Sequence, residues 1–243
     1  MINLSYSKIK RFLICPYIYQ WVDLDKKEFR HNERYIEKRI ILLAMKKYLT
    51  YLVMYNKKKD LDYLNKIFDK LWSFGIDKLL PEDIYKNIKK ILLDYCDQNI
   101  NINNIYRIGM IDSIYLSETE TRINVYFGRV DKRKNEIIIY DYTAGEDKNM
   151  LRDPHNDLWL QIYILGLNYI FAAFDKYKIL RINLETGNEF CLPLESVEKI
   201  KPSVVNHIDR LLLTMKFDPT ENQFCDYCYI KKIKECELYK KEK

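Results

Sequence analysis

The sequence predicts an α/β fold in which helices flank a mixed, mostly antiparallel central sheet. Apolar residues recur at helical spacing through most of the first hundred residues. Between residues 106 and 193 they give way to short runs rich in Ile, Val and Tyr, which are typical of strands. Helical spacing returns after residue 194. This order of helices, strands and helices indicates helices layered on a sheet.

Four helices are predicted before the sheet, and the fourth begins with a proline, which suits the first turn of a helix. They are Ser7–Asp23, Glu33–Tyr55, Leu61–Phe74 and Pro81–Asp97. Two later helices are expected at about His155–Phe174 and Leu194–Met215.

The predicted strands fall into a long group and a short pair. They are Tyr106–Leu116, Arg122–Lys132 and Glu136–Thr143, then Lys178–Leu184 and Glu189–Pro193. The polar residues 132–136 form the expected turn of a hairpin between the second and third strands, and residues 186–188 form the turn of the short pair.

We expect one domain over residues 1–243, which is long enough to bury a sizeable core. Its predicted parts are a helical segment over residues 1–105, a sheet core over 106–193 that includes the helix at 155–174, and a C-terminal helix with a cysteine-rich segment over 194–243.

Charge and composition limit the classes of function. The net charge of +6 permits a polyanionic partner, although AT-rich codons would also enrich lysine without any such role. No apolar run reaches the roughly 18 residues of a membrane span, and a secretory signal is not expected. Six cysteines without such a signal predict a reducing, cytoplasmic setting, in which clustered thiols bind metal more often than they form disulfides.

Three cysteines stand close together near the C-terminus. Cys225, Cys228 and Cys236 form a C-x2-C-x7-C run, and thiolates at C-x2-C spacing can face one metal centre from a tight turn. A fourth ligand is needed, and Cys15 is the best candidate, although simple burial would also explain it. Cys96 and Cys191 are expected to be small core residues.

Two aspartates lie on the strands of the predicted hairpin. Asp131 ends the run FGRVD, and Asp141 lies in IIIYDYT beside Tyr142. Side chains alternate faces along a strand, so Asp141 shares a face with Thr143. If the hairpin register brings Asp131 opposite that face, both carboxylates are expected to hold one Mg²⁺ or Mn²⁺, with the Tyr142 carbonyl as a third ligand. The alternative is that both are solvated acids at strand ends.

Taken together, these parts resemble the RecB-like branch of the PD-(D/E)XK nuclease superfamily, which includes CRISPR-associated exonucleases and AddB-type nuclease domains. Residues 4–19, LSYSKIKRFLICPYIY, are similar to the first helix of that family. The resemblance implies that Cys15, Cys225, Cys228 and Cys236 hold a [4Fe–4S] cluster, with zinc as the alternative metal.

The resemblance also implies a catalytic motif, and this chain departs from it. Asp131 and Asp141 match the two metal-binding carboxylates, but Thr143 stands where the family has a lysine. Losing such a charge typically costs on the order of 10²-fold to 10⁴-fold in rate. Lys148 is the candidate substitute, and Arg129 and Lys132 are further basic groups near Asp131.

Two other positions depart from the family pattern. The family often has a histidine on an early helix, but here His31 lies just before that helix. On a later helix, Trp159 and Tyr163 take the spacing of a Gln-x-x-x-Tyr motif, while Gln161 is displaced. Trp159, Tyr163 and Arg129 are candidate nucleic-acid contacts, although Trp159 is more simply explained as a core residue.

These observations predict a DNA-binding protein of nuclease fold with an impaired catalytic site. Its expected partners are single-stranded DNA or DNA ends, and a protein of a repair, replication or CRISPR-type assembly. One alternative is an active Mg²⁺- or Mn²⁺-dependent deoxyribonuclease that hydrolyses phosphodiesters with Lys148 as its lysine. Another is a zinc-stapled interaction protein.

Overall fold

The computed structural model describes residues 2–28, 33–75, 82–144, 153–236 and 238; for residues 33–37, 74 and 75 it describes the backbone alone. Its strands form one mixed sheet, as the sequence predicts, with six strands where five were expected. In chain order they are β1 (Ile2–Ser5), β2 (Ile105–Leu116), β3 (Thr121–Arg133), β4 (Glu136–Thr143), β5 (Lys176–Asn183) and β6 (Glu189–Leu192).

The helices cover both faces of this sheet. They are α1 (Tyr6–Ile14), α2 (Pro16–Tyr19), α3 (Glu33–Met54), α4 (Leu61–Gly75), α5 (Glu82–Asn99), α6 (Leu158–Ile170), α7 (Val197–Leu212) and α8 (Tyr229–Lys232). Helices α1, α6 and α7 share one apolar core with the sheet, and α3, α4 and α5 share a second core on the opposite face. No helix among the described residues has both the length and the apolar character needed to cross a bilayer.

The long strand β3 organises the sheet. Strand β2 pairs antiparallel with β3 along its length, while β1 pairs parallel with its first part and β4 pairs antiparallel with its last part. Strand β5 then runs parallel to β4, and β6 runs antiparallel to β5. Since β2 occupies one edge of β3, strands β1 and β4 must share the other edge.

The shared edge of β3 has a gap. Pairing with β1 ends at Asn124, and pairing with β4 begins at Arg129, so residues 125–127 pair only with β2 in the described register. Gly128 lies in this gap, where a Cβ atom would come within 3.1 Å of the Tyr140 carbonyl oxygen. The close approach explains the need for glycine, and the gap positions the candidate site.

The N-terminal segment differs most from the prediction of one helix over Ser7–Asp23. It begins with strand β1, which was not predicted, and then divides into α1, α2 and a π-helical turn at Gln20–Leu24. The break falls at Cys15, whose backbone is extended (φ −161°, ψ 116°). Because a proline disfavours helical backbone in the residue before it, Pro16 takes Cys15 out of the helix.

Candidate functional site

The Asp131 carboxylate lies at the buried end of the hairpin and is bound by arginine. The Arg129 guanidinium donates from Nε to Oδ1 (2.6 Å) and from Nη2 to Oδ2 (2.5 Å). The side chains are 1% and 0% exposed, and the guanidinium also stacks 4.2 Å from the Tyr140 ring centroid. Both carboxylate oxygens are therefore engaged by a fixed cation, and Arg129 is too deeply buried to contact a nucleic acid.

Tyr142 extends this buried group through its side chain. Its hydroxyl accepts a hydrogen bond from Arg129 Nη1 (3.4 Å), and its ring lies edge-on to Tyr95, 6.0 Å away. Burial raises the pKa of both tyrosines, so both remain neutral beside the arginine. The phenol of Tyr142 therefore contacts the buried side chains of Arg129 and Tyr95.

The Asp141 carboxylate has a different arginine. Arg181 Nε donates to Asp141 Oδ2 at 2.8 Å, and the two side chains are 4% and 15% exposed. The parallel register between β4 and β5 sets Arg181 directly beside Asp141. The Arg181 guanidinium in turn lies 4.2 Å from the Trp159 ring centroid, so strand β5 and helix α6 together hold it against the acid.

The hairpin register does not bring the two aspartates to one face. Asp131 is paired with Ile138, whose side chain belongs to the core beneath α3, α4 and α5. Asp141 lies on the face of Ile137 and Ile139, which belong to the core beneath α6 and α7. The condition for a shared metal is therefore not met in this structure. Thr143 follows on the Asp141 face, half-buried, and its carbonyl accepts from Leu184 N (2.8 Å).

A lysine from another helix reaches the gap beside Asp141. Lys46 of α3, Tyr126 and Asp141 line one small pocket, and Lys46 Nζ lies 5.4 Å from the Tyr126 ring centroid. Gly109, at φ +59°, makes room for this lysine, because a Cβ there would lie 2.7 Å from Lys46 Cε. Burial and then the charge of Asp141 raise the pKa of Tyr126. Lys46, Tyr126 and Asp141 thus border the same pocket.

Helix α6 places its aromatic residues as their spacing predicts. The Trp159 and Tyr163 rings lie 4.0 Å apart between centroids, and the Tyr163 hydroxyl donates to the Tyr126 carbonyl (2.5 Å). Tyr163 is buried and Trp159 half-buried, with Arg181 over its ring. Gln161 is buried as well, with Nε2 donating to the His155 carbonyl (3.0 Å). These contacts place the aromatic pair within the fold.

Sequence reasoning missed Arg181 and Lys46. A usable signal existed for Arg181, since an arginine within the apolar run ILRIN predicts a buried partner of opposite charge. Lys46 is one of several lysines on α3, and only the tertiary arrangement distinguishes it. Lys148, the candidate substitute lysine, and His31 lie outside the described residues.

The four cysteines named from the sequence line one small cavity. Cys15 comes from the break before α2, Cys225 and Cys228 from a 3₁₀ turn, and Cys236 from the segment after α8. All are free thiols. Among the described residues, however, no three His, Cys, Asp or Glu side chains already meet at the separation that a single metal ion requires.

Backbone groups around this cavity point at sulfur and tie the chain ends together. The Thr220 N–H donates to Cys15 Sγ (3.4 Å), and the Asn222 N–H donates to Cys225 Sγ (3.3 Å). Asn222 Nδ2 also donates to the Ile14 carbonyl (2.9 Å). Burial, and after it the other three cysteines, raises the pKa of the Cys236 thiol. A cation at this point would stabilise the thiolates.

The two remaining cysteines, Cys96 and Cys191, differ in their exposure to solvent. Cys96 is buried, with its sulfur 3.9 Å from Met45 Sδ, as a core residue should be. Cys191 is exposed, so its expected core position is wrong. The reason is that β6 is the edge strand of the sheet and neighbouring side chains on it point to opposite faces. Leu192 points into the core, so Cys191 points away from it.

The fold of this chain is shared with a solved protein. The crystal structure of a "Putative exonuclease" from Eubacterium rectale matches 93% of this chain and 86% of its own, with a TM-score of 0.59 and 12% identity. A second structure, that of SSO0001, matches 80% and 83% at 15% identity, but its TM-score of 0.36 is too low to carry an argument. No protein-family profile and no curated protein matches the sequence. The match shows that this chain shares the α/β fold of the Eubacterium rectale protein.

Proposed function

We propose that this protein has a RecB-like nuclease fold, and that it binds single-stranded DNA without hydrolysing it. The observation that carries the proposal is that each aspartate of the expected metal site is occupied by its own arginine. Asp131 is bound to Arg129 on one face of the sheet, and Asp141 is bound to Arg181 on the other.

These two pairs oppose metal binding for an electrostatic reason. A divalent cation needs carboxylate oxygens that are free to coordinate it. At Asp131 both oxygens accept from one guanidinium, and that cation is itself buried. A metal would have to displace Arg129 and leave its charge without a partner in the core, which costs about 3–5 kcal/mol when one member of a buried pair is removed.

Binding of a nucleic acid does not require the metal ion that hydrolysis of its phosphodiesters requires. A protein holds phosphates with lysines and bases with aromatic rings, neither of which needs a bound metal. The chain carries a net charge of +6, and its fold is one that a protein named as an exonuclease also adopts. The active-nuclease alternative would need Asp131 and Asp141 on one face, which their register does not provide.

Binding is tested by fluorescence anisotropy with labelled single-stranded DNA and a duplex of the same sequence. We expect the single strand to bind more tightly. We also expect its affinity to fall steeply with added salt, because phosphate contacts release counterions. Absent or salt-insensitive binding would contradict the proposal.

We also propose that Cys15, Cys225, Cys228 and Cys236 hold a [4Fe–4S] cluster, which would supply a covalent tie between the two ends of the chain. Four free thiols around one cavity and backbone N–H groups directed at two of the sulfurs fit such a group. Four cysteine thiolates are the ligand set of a [4Fe–4S] cluster, and the same set would also bind zinc.

Cluster and zinc are distinguished by purifying the protein without oxygen and measuring both its visible absorbance and its metal content. We expect a broad absorbance near 400 nm and about four irons per chain. Stoichiometric zinc in a colourless protein would instead support a zinc-stapled site. A chain free of both metals would contradict the assignment.

A further inference from the structure

Helices α3 and α4 present an open groove on the side of the molecule that carries the Asp141 pocket. Residues of α3 that line it recur every three to four positions from Leu43 to Met54, with Tyr55 directly after the helix, and those of α4 recur in the same way from Tyr63 to Leu71. Such spacing places each set on one face of its helix. The opposite face of each helix, with Leu49 and Phe68, packs into the core, so the groove is formed by two aligned outer faces.

The charge of this groove is of one sign. Lys46, Lys47, Lys66 and Lys70 all line it with exposed side chains, and no acidic residue does so in the described part of the chain. The nearby Asp60 carboxylate accepts from the Tyr51 hydroxyl (2.7 Å) and from Tyr63 N (3.0 Å). The groove therefore offers four positive charges to a polyanion.

Aromatic and apolar groups lie between these lysines. The Tyr51 and Tyr63 rings are stacked with centroids 3.6 Å apart, and the Tyr55 ring lies 5.1 Å from Tyr51. Tyr55 is 63% exposed and Met54 is 72% exposed. Lysines that alternate with stacked rings are the combination that holds single-stranded nucleic acid without reading its sequence.

The groove and the pocket that Asp141 borders share one lining residue. Lys46 lines both, because it lies at the end of the α3 face that is nearest to Tyr126. At a helical rise of about 1.5 Å per residue, the twelve-residue step from Leu43 to Tyr55 spans about 18 Å. At roughly 3.4 Å per stacked nucleotide, this length accommodates about five nucleotides.

We infer that the α3–α4 groove is the path of a single nucleic-acid strand, with its backbone on the lysines and a base against Tyr55. The inference rests on the proposed function and gives it a location. A second groove, beside the cysteines, is a weaker candidate. It includes Lys10 and the 77% exposed Tyr227, but its Arg11 is bound bidentately to Asp23 (2.6 and 2.7 Å).

Two variants of the full chain test the path, with labelled oligo-dT and oligo-U of equal length as probes. Tyr55→Ala removes the exposed ring and should weaken binding about 5-fold to 150-fold. The double variant Lys47→Gln, Lys70→Gln removes two phosphate contacts and should reduce the slope of log affinity against log salt by about 1.4. The ratio between the two probes shows whether the groove prefers DNA or RNA.

Matched controls make the result specific. Tyr227→Ala removes an exposed ring from the second groove, and Lys199→Gln with Lys216→Gln removes two exposed charges elsewhere; both should bind like the wild type. Wild-type affinity in Tyr55→Ala and in the groove double variant, with melting temperatures unchanged, would overturn the inference while leaving the proposed function intact. That result is what a groove for an acidic helix of a partner protein predicts. No binding by the wild type would instead refute the proposed function.

Discussion

Replacing Asp131 by asparagine separates a structural ion pair from a metal ligand. The substitution keeps the size of the side chain and removes its charge. In the structure this leaves the Arg129 guanidinium, 1% exposed, without its anion. If Asp131 were instead a metal ligand close to a second carboxylate, the same change would relieve like-charge repulsion and would leave the metal-free protein unchanged or more stable.

The magnitude follows from the burial of the pair. Removing one partner of a buried ion pair costs about 3–5 kcal/mol. For a domain of this size each kcal/mol corresponds to a shift of about 2–4 °C, so Asp131→Asn should lower the melting temperature by about 6–20 °C. Adding Arg129→Met removes the unpaired charge, and we expect the double variant to recover part of the loss.

Differential scanning calorimetry in the absence of divalent cations measures this effect. The matched control is Glu82→Gln, which breaks the exposed pair with Lys86 (2.8 Å) on α5 and should leave the melting temperature unchanged. A melting temperature of Asp131→Asn equal to or above that of the wild type would refute the reasoning. So would a double variant whose loss of stability equals the sum of the losses in Asp131→Asn and in Arg129→Met alone.

Cys228→Ser should lower the melting temperature strongly and remove iron and visible absorbance, since a tie between the chain ends closes a long loop. The control Cys191→Ser, at an exposed thiol, should leave the melting temperature, iron content and absorbance unchanged. Equal metal content in the two variants would contradict the assignment of Cys228. Burial and then Arg210 lower the pKa of His207 in the folded state, so stability should fall as the pH drops below about 6.5, where the unfolded chain binds the proton more readily. Melting temperatures of wild type and His207→Gln across this range check it, and identical pH dependence would refute it. Gly166→Ala should cost about 1–3 kcal/mol by denaturant titration, because the added Cβ would lie 3.0 Å from Phe127 Cζ; an unchanged midpoint would contradict the packing.

Local patterns predicted most of the fold because most elements follow their own periodicity. The strands β3 and β4 and their turn were placed within two residues, since alternation and a polar turn specify a hairpin without tertiary information. Helix α6 begins three residues later than predicted because Asp157 caps it, accepting from Leu160 N (2.9 Å). Strand β1 was missed because its four residues form a strand only by pairing with the distant β3.

The candidate site was predicted unevenly for physical reasons. Cys15 and the three C-terminal cysteines line one cavity, while their role as ligands of one cluster stays a prediction. The relation of Asp131 to Asp141 depends on hairpin register, and a shift of one residue moves a side chain to the other face. The Arg181 partner of Asp141 was not foreseen, since this contact joins residues forty positions apart.

Incubation of the protein with single-stranded DNA and Mn²⁺ tests the central claim most directly. With binding established in the same sample by anisotropy, the account predicts that the DNA stays intact, because both aspartates are held by arginines. Mn²⁺-dependent cleavage by the wild type that disappears in Asp141→Ala would contradict it, and would show that this carboxylate binds metal.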